Sequence, residues 1–273
     1  MDADAYAAAQ QKSYAGQQTT FAFPADDGII EVPLGFQPLG ISILGSTVAI
    51  ADYFGPSVLL AEVSLLGRAL QFSNIRWIRS TIANGKRVRM FPDLYQPGGA
   101  NRMQAVVMYS PKRLGLVRNG DRQIFDIVFR DDGEWEHVPV PPERSGGIDA
   151  ITSVVLVPGA SGGFVMLEVN ETGTCALRDY RGAELKEKEI APNRYGIAVK
   201  KDGTVATIAD FRAKEHGLFF DDKMQVPGLV GNGVVFLDDG NSGALVTRYG
   251  QAYPGPFNGA PGALIYVPPR LLE

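Results

Sequence analysis

The sequence is poor in the residues that most often declare a function. It holds one cysteine, Cys175, and two histidines, His137 and His216, in 273 residues. A single thiol cannot close an internal disulfide, and so small a Cys/His stock excludes a zinc site of the Cys/His type. No stretch approaches the roughly eighteen consecutive apolar residues of a membrane span. The opening Met1-Asp2-Ala3-Asp4 lacks the basic flank and apolar core of a secretory signal, so the expectation is a soluble, unexported chain. What the sequence does have is a globular balance, 45% hydrophobic and 21% charged residues, which excludes disorder as the main state. Glycine (32) and proline (18) are abundant and spread along the whole chain, which calls for many short turns. The length allows two average domains or one repeat-built domain.

The formal net charge of −4 conceals an asymmetry. Between Arg68 and Arg122 eleven bases face two acids, a balance of +9, and the remainder of the chain, with 15 bases and 28 acids, carries −13. One sector of the folded molecule is therefore expected to be basic. Either its cations lie on solvated strand faces and pair with acids of the same fold, or they form a binding face.

Helical periodicity is nearly absent outside the Ala- and Gln-rich start, Ala3 to Gln18. Elsewhere apolar residues come in runs of four to seven bounded by Gly, Pro, Asp or Asn, which is the pattern of strands. Two distant stretches align with one inserted residue: Gly40-Ile41-Ser42-Ile43-Leu44 through Thr47-Val48-Ala49 to Ala51-Asp52-Tyr53, and Gly196-Ile197-Ala198-Val199 through Thr204-Val205-Ala206 to Ala209-Asp210-Phe211. Each reads as a Gly-led strand, a Gly-containing turn and a second strand closing in Ala-Asp-aromatic. Further first strands are expected near Ala105, Val154 and Val234, and another unit near Ile75. A second hairpin follows most of these, around Gly67, Asp131-Asp132-Gly133, Gly182 and Asp221-Asp222. Repeats of four antiparallel strands are blades of a β-propeller, because one small sheet cannot bury both faces until its neighbours stack in a ring. The fold class predicted is thus all-β, a propeller of five or six four-stranded blades over residues 20–273, with residues 1–19 as an N-terminal arm. Thr20 to Phe23 or Ile29 to Val32 is expected to close the ring against Ala263 to Val267.

These residues resemble the NHL-type propeller repeat, most clearly over Pro38 to Phe72 and Tyr195 to Val226. The related lactonases of the senescence-marker and gluconolactonase group hold a divalent metal in the channel, beginning with a Glu-Gly-Pro near the first blade. That motif is absent, and Gly35-Phe36-Gln37-Pro38-Leu39-Gly40 stands in its place without a carboxylate. The resemblance therefore implies the fold and not the enzyme.

Other candidates for chemistry read as structure. Gly159-Ala160-Ser161-Gly162-Gly163 matches the nucleophile-elbow pattern but has strands on both sides, so a turn is expected. Asp52 and Asp210 end equivalent strands, and being repeated argues for a role in the fold, as acceptors from the backbone of the following turn. Asp26-Asp27-Gly28, Asp131-Asp132-Gly133 and Asp238-Asp239-Gly240 are turn formers. His137 is expected on an exposed strand, His216 in a loop, and Cys175 as a small buried hydrophobe. No catalytic, metal or cofactor residue is assigned, and no cofactor is expected.

The basic sector remains. Arg76-Trp77-Ile78-Arg79 through Lys86-Arg87-Val88-Arg89 alternates cations, with Arg87 and Arg89 on one strand face and the Asn84-Gly85 turn bringing Arg79 near them. Arg76, Arg79, Lys86, Arg87 and Arg89 are accordingly taken as the partner-binding residues. The function expected from the sequence is a non-enzymatic structural or docking subunit of a large assembly, with the nozzle-type propellers of bacteriophage tails as the particular analogy. Its partners would be other protein subunits met through an acidic surface, or nucleic acid, and its location a virion or else the cytoplasm. The alternatives are a metal-dependent lactonase-like hydrolase and a cytosolic protein- or RNA-binding propeller.

Overall fold

A computed structural model of the chain describes residues 19–22, 28–53, 57–89, 103–118, 124–138, 151–156, 164–169, 175–181, 184–250 and 262–273, with backbone alone for the strands between 151 and 189. The arm expected at 1–19, apart from Thr19, lies outside the described residues, as do the turn around Ser161 and the pair Asp26-Asp27.

Two short strands, β1 (Thr19–Ala22) and β2 (Ile30–Pro33), precede the first repeat. Blade 1 is β3 (Pro38–Leu44), β4 (Thr47–Asp52), β5 (Ser57–Leu65) and β6 (Ala69–Ile78). The hairpin β7 (Ser80–Ala83) and β8 (Lys86–Arg89) follows, and then blade 2: β9 (Met103–Ser110), β10 (Arg113–Arg118), β11 (Ile124–Phe129) and β12 (Trp135–Val138). Blade 3 runs β13 (Ile151–Leu156), β14 (Phe164–Val169), β15 (Cys175–Arg181) and β16 (Glu184–Ile190). Blade 4 runs β17 (Arg194–Val199), β18 (Val205–Ala209), β19 (Gly217–Phe220) and β20 (Lys223–Pro227). Blade 5 has β21 (Gly233–Phe236), β22 (Ala244–Arg248) and β23 (Ala263–Val267) from the C-terminal part and takes β2 as its outer strand.

Among the described residues there are five sheets, and their inner strands β3, β9, β13, β17 and β21 touch in that order and return to β3. The protein is a β-propeller, with five blades among the described residues. The sixth unit looked for near Ile75 does not exist as a blade: Ile75 lies within β6 and is buried in the core. The long spacing that pointed to it is occupied instead by the β7–β8 hairpin.

Ring closure follows the second of the two expected routes. Ile30–Pro33 pairs antiparallel with Ala263–Tyr266, and Arg248 Nη1 donates to Glu31 Oε2 at 2.8 Å across the closing sheet. Thr19–Ala22 pairs instead with Ala69–Phe72, which makes β1 a fifth strand on blade 1. The N-terminal segment therefore holds the outer edges of both blades that flank the seam.

Antiparallel order puts the turns after the first and third strands of each blade on one face, the hairpin face, and the remaining connections on the other, the connector face. The ring centre leaves no room for side chains at two positions. A Cβ on Gly196 would lie 2.4 Å from Ile208 Cγ2 and 2.9 Å from the backbone of Gly233, and one on Gly233 would lie 2.8 Å from the carbonyl oxygen of Leu39. Thr247 Oγ1 donates to that same carbonyl at 2.5 Å, tying blade 5 to blade 1. Among the described residues three apolar clusters lie within and between blades 1, 2, 4 and 5, the first running from Phe36 and Ile50 through Leu70 to Leu245 and Tyr266.

Candidate functional site

The predicted basic sector spans two blades. Arg76 lies on β6 of blade 1, Arg79 directly after it, and Lys86, Arg87 and Arg89 on β8. The hairpin leaves blade 1 and joins blade 2, where β7 pairs in parallel with β12 through Ile82 and Glu136. Blade 2 thereby becomes a six-stranded sheet with β8 at its outer edge among the described residues. The Asn84-Gly85 turn, with φ of 50° and 73°, is the left-handed two-residue turn that the sequence calls for. It sets Ser80 opposite Arg89, and so brings Arg79 to the same end of the hairpin.

The five cations have different surroundings. Arg76 is exposed, and its guanidinium carbon sits 5.9 Å from the centroid of the Phe129 ring of blade 2. Arg79 is half-buried over Trp77, at 5.1 Å from the ring centroid. Burial pulls the Arg79 pKa down, against the opposing charge of Asp52. Arg87 is exposed and pairs with Glu134. Lys86 is exposed, and among the described residues neither it nor Arg76 has an acid partner. The side chain of Arg89 lies outside what is described.

Acids of blade 2 line the inner side of this sector. Lys112 reaches Asp131 at 3.2 Å, Arg130 reaches Asp132 at 2.8 Å and Glu136 at 3.4 Å, and Arg113 pairs with the fully buried Asp126. Three of the eleven bases of the sector, Arg87, Lys112 and Arg113, are thus paired with acids of blade 2. At the outer edge, Arg76 and Lys86 have no such partner among the described residues.

Asp52 and Asp210 are both buried, at 0% and 1% exposure, on the connector face. Asp210 does what the repeat predicts: Arg212 N donates to its Oδ1 at 2.7 Å and the Arg212 guanidinium to its Oδ2 at 2.8 and 2.9 Å. Burial is the main cause of a raised Asp210 pKa, with the Arg212 contacts opposing it. Arg212 Nη2 also donates to the Tyr195 hydroxyl at 2.6 Å. His216 is in a loop with Nε2 3.3 Å from the Phe211 carbonyl. His137, expected to be exposed, is half-buried, because β12 is covered by β7 and is no longer an edge strand.

On the hairpin face, where turns of blades 1, 4 and 5 meet, a cleft of about 260 Å³ lies between Ser42, Ile43, Val199, Phe236, Asp238 and Asp239. Lys200 Nζ lies 4.6 and 5.3 Å from the Phe220 and Phe236 ring centroids beside it. Sequence reading missed these cation–aromatic contacts and the buried Arg113–Asp126 pair, because their members come from different strands and form no local motif. Among the described residues no three His, Cys, Asp or Glu side chains gather as metal ligands, and no helix is long and apolar enough to cross a membrane.

No protein-family model matches the chain, and no curated protein matches it. Solved structures do resemble it. A luciferin-regenerating enzyme superposes with a TM-score of 0.51 at 10% identity, covering 88% of this chain and 95% of that one. The PQQ-bound aldose sugar dehydrogenase of Streptomyces coelicolor gives 0.46 at 8% identity over 94% and 99% of the two chains. A streptogramin B lyase gives 0.38 at 14% identity over 93% and 100%. The first of these shows the β-propeller fold, and the likeness is to propellers broadly, without singling out the NHL type. It also corrects one expectation. The sequence reading took the chain to be no enzyme, yet the ring it shares with the luciferin-regenerating enzyme bears a catalyst there. The expectation that the chain is no enzyme is therefore withdrawn.

Proposed function

We propose that the protein is a docking propeller, a subunit of a multi-protein assembly that meets an acidic surface of a neighbouring subunit through the outer edge of blades 1 and 2. The observation that carries this reading is the β7–β8 hairpin. It stands outside the four-strand plan of the other blades, and its tip from Asn84 to Arg87 is exposed throughout. Ordering such a tip costs about 1–2 kcal/mol of backbone entropy per residue, and the four exposed tip residues bury little in return. The hairpin presents Lys86 and Arg87 on blade 2, the blade whose Phe129 ring Arg76 also reaches, and exposed cations there steer and orient an acidic partner more than they stabilise the fold. The particular assembly we favour is a virion, on the analogy with nozzle-type propellers of phage tails.

The test uses immobilised poly-L-glutamate and, in a second arm, double-stranded DNA. We expect retention on poly-L-glutamate at about 50 mM salt that is lost towards about 0.5 M, as screening shortens the reach of the patch to a few ångströms. Arg76→Glu with Lys86→Glu should weaken it at least about tenfold, while Lys214→Glu with Lys223→Glu, on blade 4, leaves it unchanged. Equal effects of the two double variants, or retention that salt does not touch, would overturn the reading. Preference for DNA would make the partner a nucleic acid instead.

A further inference from the structure

We infer that the acidic partner enters as an added β-strand on the open edge of β8, supplied by an extended segment that carries a carboxylate at every second residue. This rests on the docking reading above and specifies how the docking is done.

The backbone dictates which groups are on offer. The turn between β7 and β8 has two residues, so the flanking pair Ala83 and Lys86 exchanges both inter-strand hydrogen bonds, Ile82 and Arg87 exchange none, Thr81 and Val88 exchange both, and Ser80 and Arg89 none. The N–H and C=O of Lys86 and Val88 therefore point inward to β7. Those of Arg87 and Arg89 point outward, where no further strand lies among the described residues. The open edge thus presents two N–H donors and two C=O acceptors, the groups that strand addition uses.

Side-chain chemistry then selects the partner. Residues directly opposite one another across a ladder share a face, so whatever pairs with Arg87 and Arg89 projects on the face of Arg87. Glu134 occupies part of the Arg87 guanidinium, but that group has five N–H donors and the side chain is 63% exposed. A carboxylate at alternate positions of the incoming strand would meet this face each time. An edge carrying Lys86 and Arg87 also repels another basic edge, which excludes pairing of β8 with its own copy and leaves an acidic strand as its complement.

The probe is a synthetic octapeptide alternating Glu and Thr, added to the full chain. Its binding should protect the Arg87 and Arg89 amides from hydrogen exchange at least about tenfold, while those of Lys86 and Val88, already bonded to β7, change little. Arg87→Ala should weaken the peptide through loss of charge. Arg87→Pro, which removes the same charge and also an outward N–H that an edge strand can spare, should weaken it about a further tenfold. Binding without protection of Arg87 and Arg89, or equal affinities of the Ala and Pro variants, would overturn strand addition and leave charge-led docking standing. No binding of the peptide, together with no effect of the Arg76 and Lys86 reversals, would overturn both.

Discussion

Blades 1 and 4 begin from nearly the same hairpin and end very differently. Both bulge near the start of the first strand, between Pro38 and Ile41 in one and between Arg194 and Gly196 in the other. Both bury an aspartate at the end of the second strand. Blade 4 answers its aspartate locally, with the backbone and side chain of Arg212 two residues on. In blade 1 the cation on which the aspartate's charge acts is Arg79, just past the end of its fourth strand, where the chain leaves for blade 2. The shared part is what a ring needs from every blade. The part that differs sits where blade 1 gives rise to the basic hairpin, so the counter-charge of its buried aspartate and the docking edge belong to one stretch of chain.

The largest effect should come from breaking what the two blades have in common. Gly196 faces the backbone of Gly233 at the ring centre, and backbone cannot move aside as a side-chain end would. Gly196→Ala is expected to lower stability by about 3 kcal/mol by overpacking, read as a drop in the denaturant midpoint with an unchanged slope. A loss under about 1 kcal/mol would mean that the centre is looser than a closed ring permits.

The next effect should separate the two blades. Asp52→Ala removes the carboxylate whose charge acts on the half-buried Arg79, and we expect a loss of about 2 kcal/mol, together with weaker poly-L-glutamate binding because Arg79 leads into the hairpin. Asp210→Ala leaves the Arg212 N–H without its acceptor, but the Arg212 side chain is 53% exposed and can turn to water. A loss of about 1 kcal/mol with binding intact is expected there. Equal losses, or binding affected by Asp210→Ala, would show that the two aspartates are equivalent and that Arg79 is no hinge between fold and docking edge.

The same contrast explains what was legible in the sequence. The hairpins around Gly67, Asp131-Asp132-Gly133 and Asp221-Asp222 are readable, because strand alternation and turn chemistry are written in adjacent residues, whereas ring closure is readable only as a choice between Thr20 to Phe23 and Ile29 to Val32, of which the second meets Ala263–Tyr266. The blade count stays open in the sequence because the widest spacing between first strands leaves room for a unit near Ile75, and only the pairing of β7 with β12 shows that the extra hairpin extends blade 2. The cations of the basic sector were visible one by one. Their neutralisation by Glu134, Asp131 and Asp126 was not, since sequence separation says nothing of which strands a sheet sets side by side.

The smallest effect tests the local answer of blade 4. Burial raises the Asp210 pKa above the ordinary carboxylate value of about 3.9 that the unfolded chain would show, with Arg212 opposing the shift. Ionised Asp210 therefore costs the fold some stability at neutral pH, and that cost disappears as pH falls through the raised folded value towards the unfolded one. Asp210→Asn keeps an oxygen for the Arg212 N–H and has no proton to gain. The melting temperature of the parent protein, measured relative to that of Asp210→Asn, should accordingly rise as pH is lowered from 7 to about 4, and level off below. A difference that falls over this range would mean that the Arg212 pair outweighs burial and holds the Asp210 pKa below its unfolded value. Blade 4 would then rely on its ion pair for stability, as the Asp52 comparison assigns to blade 1.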